Sequence, residues 1–114
     1  MVRDFFNGQQ MLVTYREGGA LYGTFFTLQV HFCRSGRYMT FGESRKQTVL
    51  DNEQVNTFSD EGTWEITTFR GQMVLKYVSV SGQPNMVPVR VLNGRVSLGD
   101  GISVVRRGVA QCQR

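Results

Sequence analysis

Runs of alternating apolar and polar residues recur about every ten positions along this chain, and glycine-bearing turns separate most of them. A period of two sends successive side chains to opposite faces, so each run predicts a β-strand with one buried face. The clearest run is 24–33: Phe26, Leu28, Val30 and Phe32 share the apolar face, and Thr27, Gln29, His31 and Cys33 share the other. An earlier strand is predicted at 11–15, ended by Glu17-Gly18-Gly19. Arg34-Ser35-Gly36 predicts a hairpin turn into a strand at 37–41, with Tyr38 and Thr40 on one side and Met39 and Phe41 on the other. Residues 42–47 are polar and predict a loop, and 48–50 predict a short strand. The stretch 51–61 is the longest polar connection, pinned by Val55 and Phe58, and is expected to be the most mobile internal region.

Further strands are predicted at 64–69, 73–79, 86–92, 95–98 and 102–106. Arg70-Gly71 and the 81–85 stretch are turns by composition. Val87, Val89 and Val91 face inward in the 86–92 run, so Pro88 faces outward, as suits an edge or a bulge. Asn93-Gly94 is the strongest two-residue hairpin signal. The count is about eight strands joined by short links, with no helix longer than about three turns. Short links favour antiparallel neighbours, and closure removes exposed edges. The predicted fold is therefore all-β: an antiparallel up-and-down meander closing into a barrel of about eight strands.

The length of 114 residues fits one domain, 1–114, with enough chain for a core. The chain starts abruptly, one short segment before its first strand, as a domain cut from a longer protein would. No apolar leader follows Met1, which makes the cytoplasm the default expectation, and no stretch is apolar enough to span a membrane as a helix. The net charge is +4, carried mostly by arginine, and five of the nine acids fall between Asp51 and Glu65. That distribution reads as a solvated surface with one acidic patch.

No motif compels a reaction. His31 is the single histidine, and Cys33 and Ser35 stand near it. Residues two apart on a strand place their side chains roughly 7 Å apart, too far for a tight thiolate–imidazolium pair. His31 therefore reads as an ordinary half-exposed residue. One histidine and two cysteines fall short of a zinc site. Cys33 and Cys112 read as free thiols, although a closed barrel can bring the last strand to an early one. The carboxylate pairs Asp60-Glu61 and Asp51/Glu53 read as solvated loop positions rather than a catalytic pair. No cofactor motif is present.

Gly62-Thr63-Trp64 resembles the Gly-x-Trp that opens a strand in lipocalins and related calycin barrels. In those families the tryptophan caps one barrel end, and an arginine near the chain terminus packs over it. Arg106 or Arg107, after Ile102-Ser103-Val104-Val105, matches that arginine. Lipocalins carry the motif on their first strand, whereas here it is mid-chain. The pattern is more similar to lipocalin-like domains of bacteria, in which a string like Leu28-Gln29-Val30-His31-Phe32-Cys33-Arg34-Ser35-Gly36-Arg37-Tyr38 precedes a Gly-x-Trp strand. The resemblance covers roughly 22–112, implies a barrel with a cupped apolar pocket, and transfers no catalytic residue.

The expected function is non-catalytic binding of a small apolar or amphipathic ligand inside the barrel. The expected lining is Phe26, Leu28, Val30, Phe32, Tyr38, Trp64, Leu75 and Tyr77. In a small barrel the same residues can simply fill the core. Two other classes share the architecture. One is a protein-interaction or inhibitor-like module. The other is a single-stranded nucleic-acid barrel, with Tyr22, Phe25 and Phe41 among Arg34, Arg37 and Arg45.

Overall fold

The computed structural model describes residues 2–18, 23–47, 54–93, 95–99 and 101–112. A short helix, α1 (Val2–Phe6), leads into β1 (Gln9–Gly18), β2 (Gly23–Phe32), β3 (Arg37–Gln47), β4 (Gln54–Phe69) and β5 (Gln72–Ser79). The strands β6 (Pro84–Pro88), β7 (Arg90–Leu92), β8 (Arg95–Ser97) and β9 (Ser103–Val109) follow. Seven strands form one antiparallel sheet in the order β6-β5-β4-β3-β2-β1-β9, and β7 and β8 form a separate hairpin. The all-β antiparallel meander is thus observed, with β9 returning to the free edge of β1. Among the described residues no strand ladder joins β6 to β9.

Two predicted loops are strand. Residues 42–47 continue β3, paired with β2 throughout and with β4 as far as Lys46. Residues 54–61, expected to be mobile, form the first half of β4 and pair residue by residue with β3. Polar side chains masked both segments, because their outward faces are solvated while the backbone groups bond along the ladder. The predicted strand at 48–50 and residues 51–53 lie outside the described residues. The 86–92 run divides: Pro88 ends edge strand β6, and the Val89 amide turns to donate to the Met73 carbonyl at 2.9 Å. Val89 is buried, but Val91, expected inward, is 50% exposed on a hairpin that has left the sheet.

One end of the sheet is sealed by apolar packing. Phe6 and Met11 are fully buried there with Phe32, Tyr38 and Trp64. The Trp64 ring meets Phe32 edge-on at 5.1 Å and Phe6 at 6.4 Å, and its indole N–H donates to the Cys33 carbonyl at 3.1 Å. The guanidinium over the indole belongs to Arg3, 4.7 Å from the ring centroid. This corrects the expected Arg106 or Arg107, which are exposed on β9. The physical reason is α1, which crosses the sealed end and brings Arg3 with it. Gly62 shares this region: a side chain there would strike the backbone carbonyl of Val78.

The C-terminal segment straps the outer face. Cys33 and Cys112 form a disulfide, correcting the expectation of free thiols. His31, on the outward phase of β2, is 5% exposed rather than half-exposed. The Gln111 amide donates to His31 Nδ1 at 2.9 Å, and the Ala110 amide donates to the Gly8 carbonyl at 3.0 Å. Burial lowers the His31 pKa below its usual 6.5 and keeps the ring a neutral acceptor.

The disulfide joins positions 79 apart, a span for which chain entropy contributes about 4.5 kcal/mol. Reduction, or Cys112→Ser, is expected to lower unfolding stability by about 2–5 kcal/mol, read from chemical denaturation with and without reductant. A pH effect accompanies it. The unfolded chain protonates His31 before the folded chain does, so stability declines as pH falls below 6.5 and levels off once the folded ring is also charged. His31 is the only histidine, so His31→Asn, which retains an acceptor near Nδ1, is expected to flatten thermal midpoints just below that pH.

Candidate functional site

The inward side chains of β1 to β6 converge on one hollow of about 540 Å³. Its wall continues through Val87 on β6 and through Leu98 and Ile102 in the segment before β9. Burial along β2 grades from Phe32 and Val30, both buried, to the half-buried Leu28 and Phe26. The hollow therefore deepens toward the sealed end and widens away from it. At the wide end Tyr15 and Phe26 stack at 4.7 Å, and Phe58 is 42% exposed. The Phe58 ring occupies the space beside Gly42, where a side chain would collide with it and with Leu28.

Seven of the eight residues expected to line a cavity do so: Phe26, Leu28, Val30, Phe32, Tyr38, Leu75 and Tyr77. Trp64 does not. It stands behind Phe32 in the sealed end, between the ring of Phe6 and the guanidinium of Arg3. Sequence reasoning missed Val13, Tyr15, Thr40, Val87, Leu98, Ile102, Phe58 and Asp60 as lining. A signal for the last two existed, since stepping back by twos from Trp64 reaches Gly62, Asp60 and Phe58 in one phase.

Asp60 carries the site's polarity. The pair Asp60-Glu61, expected on a solvated loop, is split by the strand period. Asp60 faces the hollow, and Glu61 faces solvent with Arg37 at 3.1 Å. Tyr38 donates its hydroxyl to Asp60 Oδ2 at 2.7 Å, and Ser79 donates to Oδ1 at 2.7 Å. The register explains how both reach it. Tyr38 and Ser79 flank Gly62 in neighbouring strands, and the missing side chain lets both lean along β4 to the carboxylate two residues away. Asp51 and Glu53 lie outside the described residues.

Burial alone raises a carboxyl pKa, but hydrogen bonds from Ser79, Tyr38 and the Glu61 backbone outweigh it here, holding Asp60 below its usual 3.8. Burial, the Asp60 hydrogen bond and the Asp60 charge push the Tyr38 hydroxyl well above its usual 10.0. Burial and Asp60 raise Tyr77 as well. At neutral pH the described lining therefore holds one carboxylate among protonated phenols. It has no group of three or more His, Cys, Asp or Glu side chains able to hold a metal, among the described residues. The Cys33 sulfur is bonded to Cys112, so it offers no thiolate beside His31.

The outer face carries the other candidate set. Phe25 and Phe41 are each 48% exposed, and the Arg16 guanidinium lies 5.5 Å from the Phe25 ring. Arg37 and Arg45 form exposed ion pairs with Glu61 and Glu43. Arg34 is exposed in the turn after β2, and Tyr22 lies outside the described residues. No helix among the described residues is long and apolar enough to cross a membrane.

Tyr38→Phe removes one of the two side-chain donors to Asp60. It is expected to raise the Asp60 pKa toward 3.8, seen by carboxyl NMR titration, and to cost about 1–2 kcal/mol in denaturant unfolding. In the unaltered chain the carboxylate's contribution is present above 3.8 and is lost as pH falls through the lower folded value. Comparison with known proteins finds no matching family model, no matching curated protein and no matching solved structure.

Proposed function

We propose that this protein binds a small apolar or amphipathic molecule inside a barrel-like cup of lipocalin type. The observation that carries the reading is the hollow of about 540 Å³ bounded by the inward faces of six consecutive strands. Protein interiors are close-packed and rarely hold voids much larger than a water molecule. A volume in the ligand-pocket range therefore favours a container over a filled core. In this reading the Leu98 and Ile102 side chains extend the wall from β6 toward β9. The disulfide suits work in an oxidising compartment rather than the cytoplasm.

A ligand that loses roughly 300 Å² of apolar surface to this hollow gains about 7 kcal/mol before association costs. That gross figure is below the roughly 8 kcal/mol that micromolar binding requires, so on apolar burial alone the expected affinity is weaker than micromolar. The test uses N-phenyl-1-naphthylamine, a neutral probe that brightens in apolar surroundings. Titration into the purified protein is expected to give saturable enhancement. Leu28→Trp, which narrows the hollow midway along β2, is expected to weaken the probe at least about tenfold while circular dichroism stays β-type. Absence of any enhancement with the unaltered protein overturns the reading.

A further inference from the structure

Building on the ligand-site reading of the hollow, we infer that the ligand is a cationic amphiphile: an apolar chain or ring ending in an ammonium group, seated with that group against Asp60. The charge of the site is the first ground. Among the described residues that line the hollow, Asp60 is the single charged side chain, with no lysine, arginine or histidine beside it. Glu17, Lys46 and Arg106 follow the inward phases of β1, β3 and β9, but all three are exposed and none lines the hollow. The interior is therefore anionic, although the chain as a whole carries +4.

The second ground is the hydrogen-bond state of Asp60. The carboxylate accepts from Tyr38, Ser79 and the Glu61 backbone, and of its roughly four acceptor positions one remains for a ligand donor. The carboxylate is thus fixed in place and still able to accept from a ligand donor. A carboxylate-bearing ligand would meet a like charge in a poorly solvated space, which disfavours it.

The third ground is the surroundings. Tyr38 and Tyr77 lie edge-to-face at 5.6 Å beside Asp60, and Phe58 stands one inward step away on β4. Aromatic faces combined with a carboxylate are the environment that offsets the desolvation of an ammonium. The ladder also sets the orientation. Asp60 is level with Thr40 and Val30, near the sealed end, whereas Leu28, Phe26 and Tyr15 follow toward the wide end. The ligand accordingly enters head first, with its apolar body along β1 and β2.

The test displaces bound N-phenyl-1-naphthylamine with three compounds of one chain length: decylammonium, decanol and decanoate. The expected order of potency is ammonium, then alcohol, then carboxylate, with about tenfold between neighbours. Asp60→Asn is expected to erase the gap between ammonium and alcohol while the probe still binds, which reports an intact hollow. Ser79→Ala, which keeps the charge, is expected to preserve the order. Equal potencies, a preference for decanoate, or an undiminished ammonium preference in Asp60→Asn each overturn the inference while leaving the apolar-site reading standing. Failure of the probe to bind the unaltered protein overturns both.

Discussion

The sealed end of the sheet depends on Trp64. Its indole is buried, and a buried N–H without an acceptor costs about 1–3 kcal/mol. The Cys33 carbonyl is that acceptor, and it belongs to the turn between β2 and β3. The Trp64 backbone amide bonds the Gly36 carbonyl in the same turn at 2.9 Å. One residue thereby ties the middle of β4 to the β2–β3 hairpin through both its backbone and its ring. Around this point the rest assembles: Phe6 and Arg3 cover the ring from α1, Phe32 packs its edge, and the Cys33–Cys112 disulfide fastens the C-terminal segment beside it.

A tight floor at one end allows a hollow at the other. Empty apolar volume forfeits dispersion contacts and is a stability cost. In this fold the cost falls on the half of the sheet farther from α1, where burial along β2 relaxes from Phe32 to Phe26. The cross-strand ladders, the sealed cluster and the disulfide hold the frame without requiring a packed centre. The strap formed by residues 110–112 adds a second layer over β2, so His31 and Cys33 are buried on the outer face near the floor.

The Tyr38–Asp60–Ser79 group joins three adjacent strands through side chains alone. Tyr38 and Ser79 are level with Gly62, one inward step from Trp64, and Asp60 is two steps from it, so the rigidity of that floor also positions the carboxylate. Gly62 serves both arrangements. Its lack of a side chain accommodates the Val78 carbonyl and opens the gap across which Tyr38 and Ser79 reach Asp60.

Much of this was legible in the chain. Period-two alternation identified the inward faces of β2, β3 and β5, and with them seven of the lining residues, because that pattern is local and follows from backbone geometry. Turn composition likewise located the Arg34-Ser35-Gly36 and Arg70-Gly71 hairpins. What the chain alone did not disclose depends on partners distant in sequence. Residues 42–47 and 54–61 are too polar to read as strands by themselves, and they become strands because each supplies the other's hydrogen bonds. Asp60 and Glu61 look alike as neighbours, and only the register of β4 sends one inside and the other to Arg37. The guanidinium over Trp64 comes from Arg3 rather than Arg106 or Arg107 because α1 crosses the floor. The same holds for the two thiols: their pairing is decided by the path of the last strand beside β1, which no local pattern encodes.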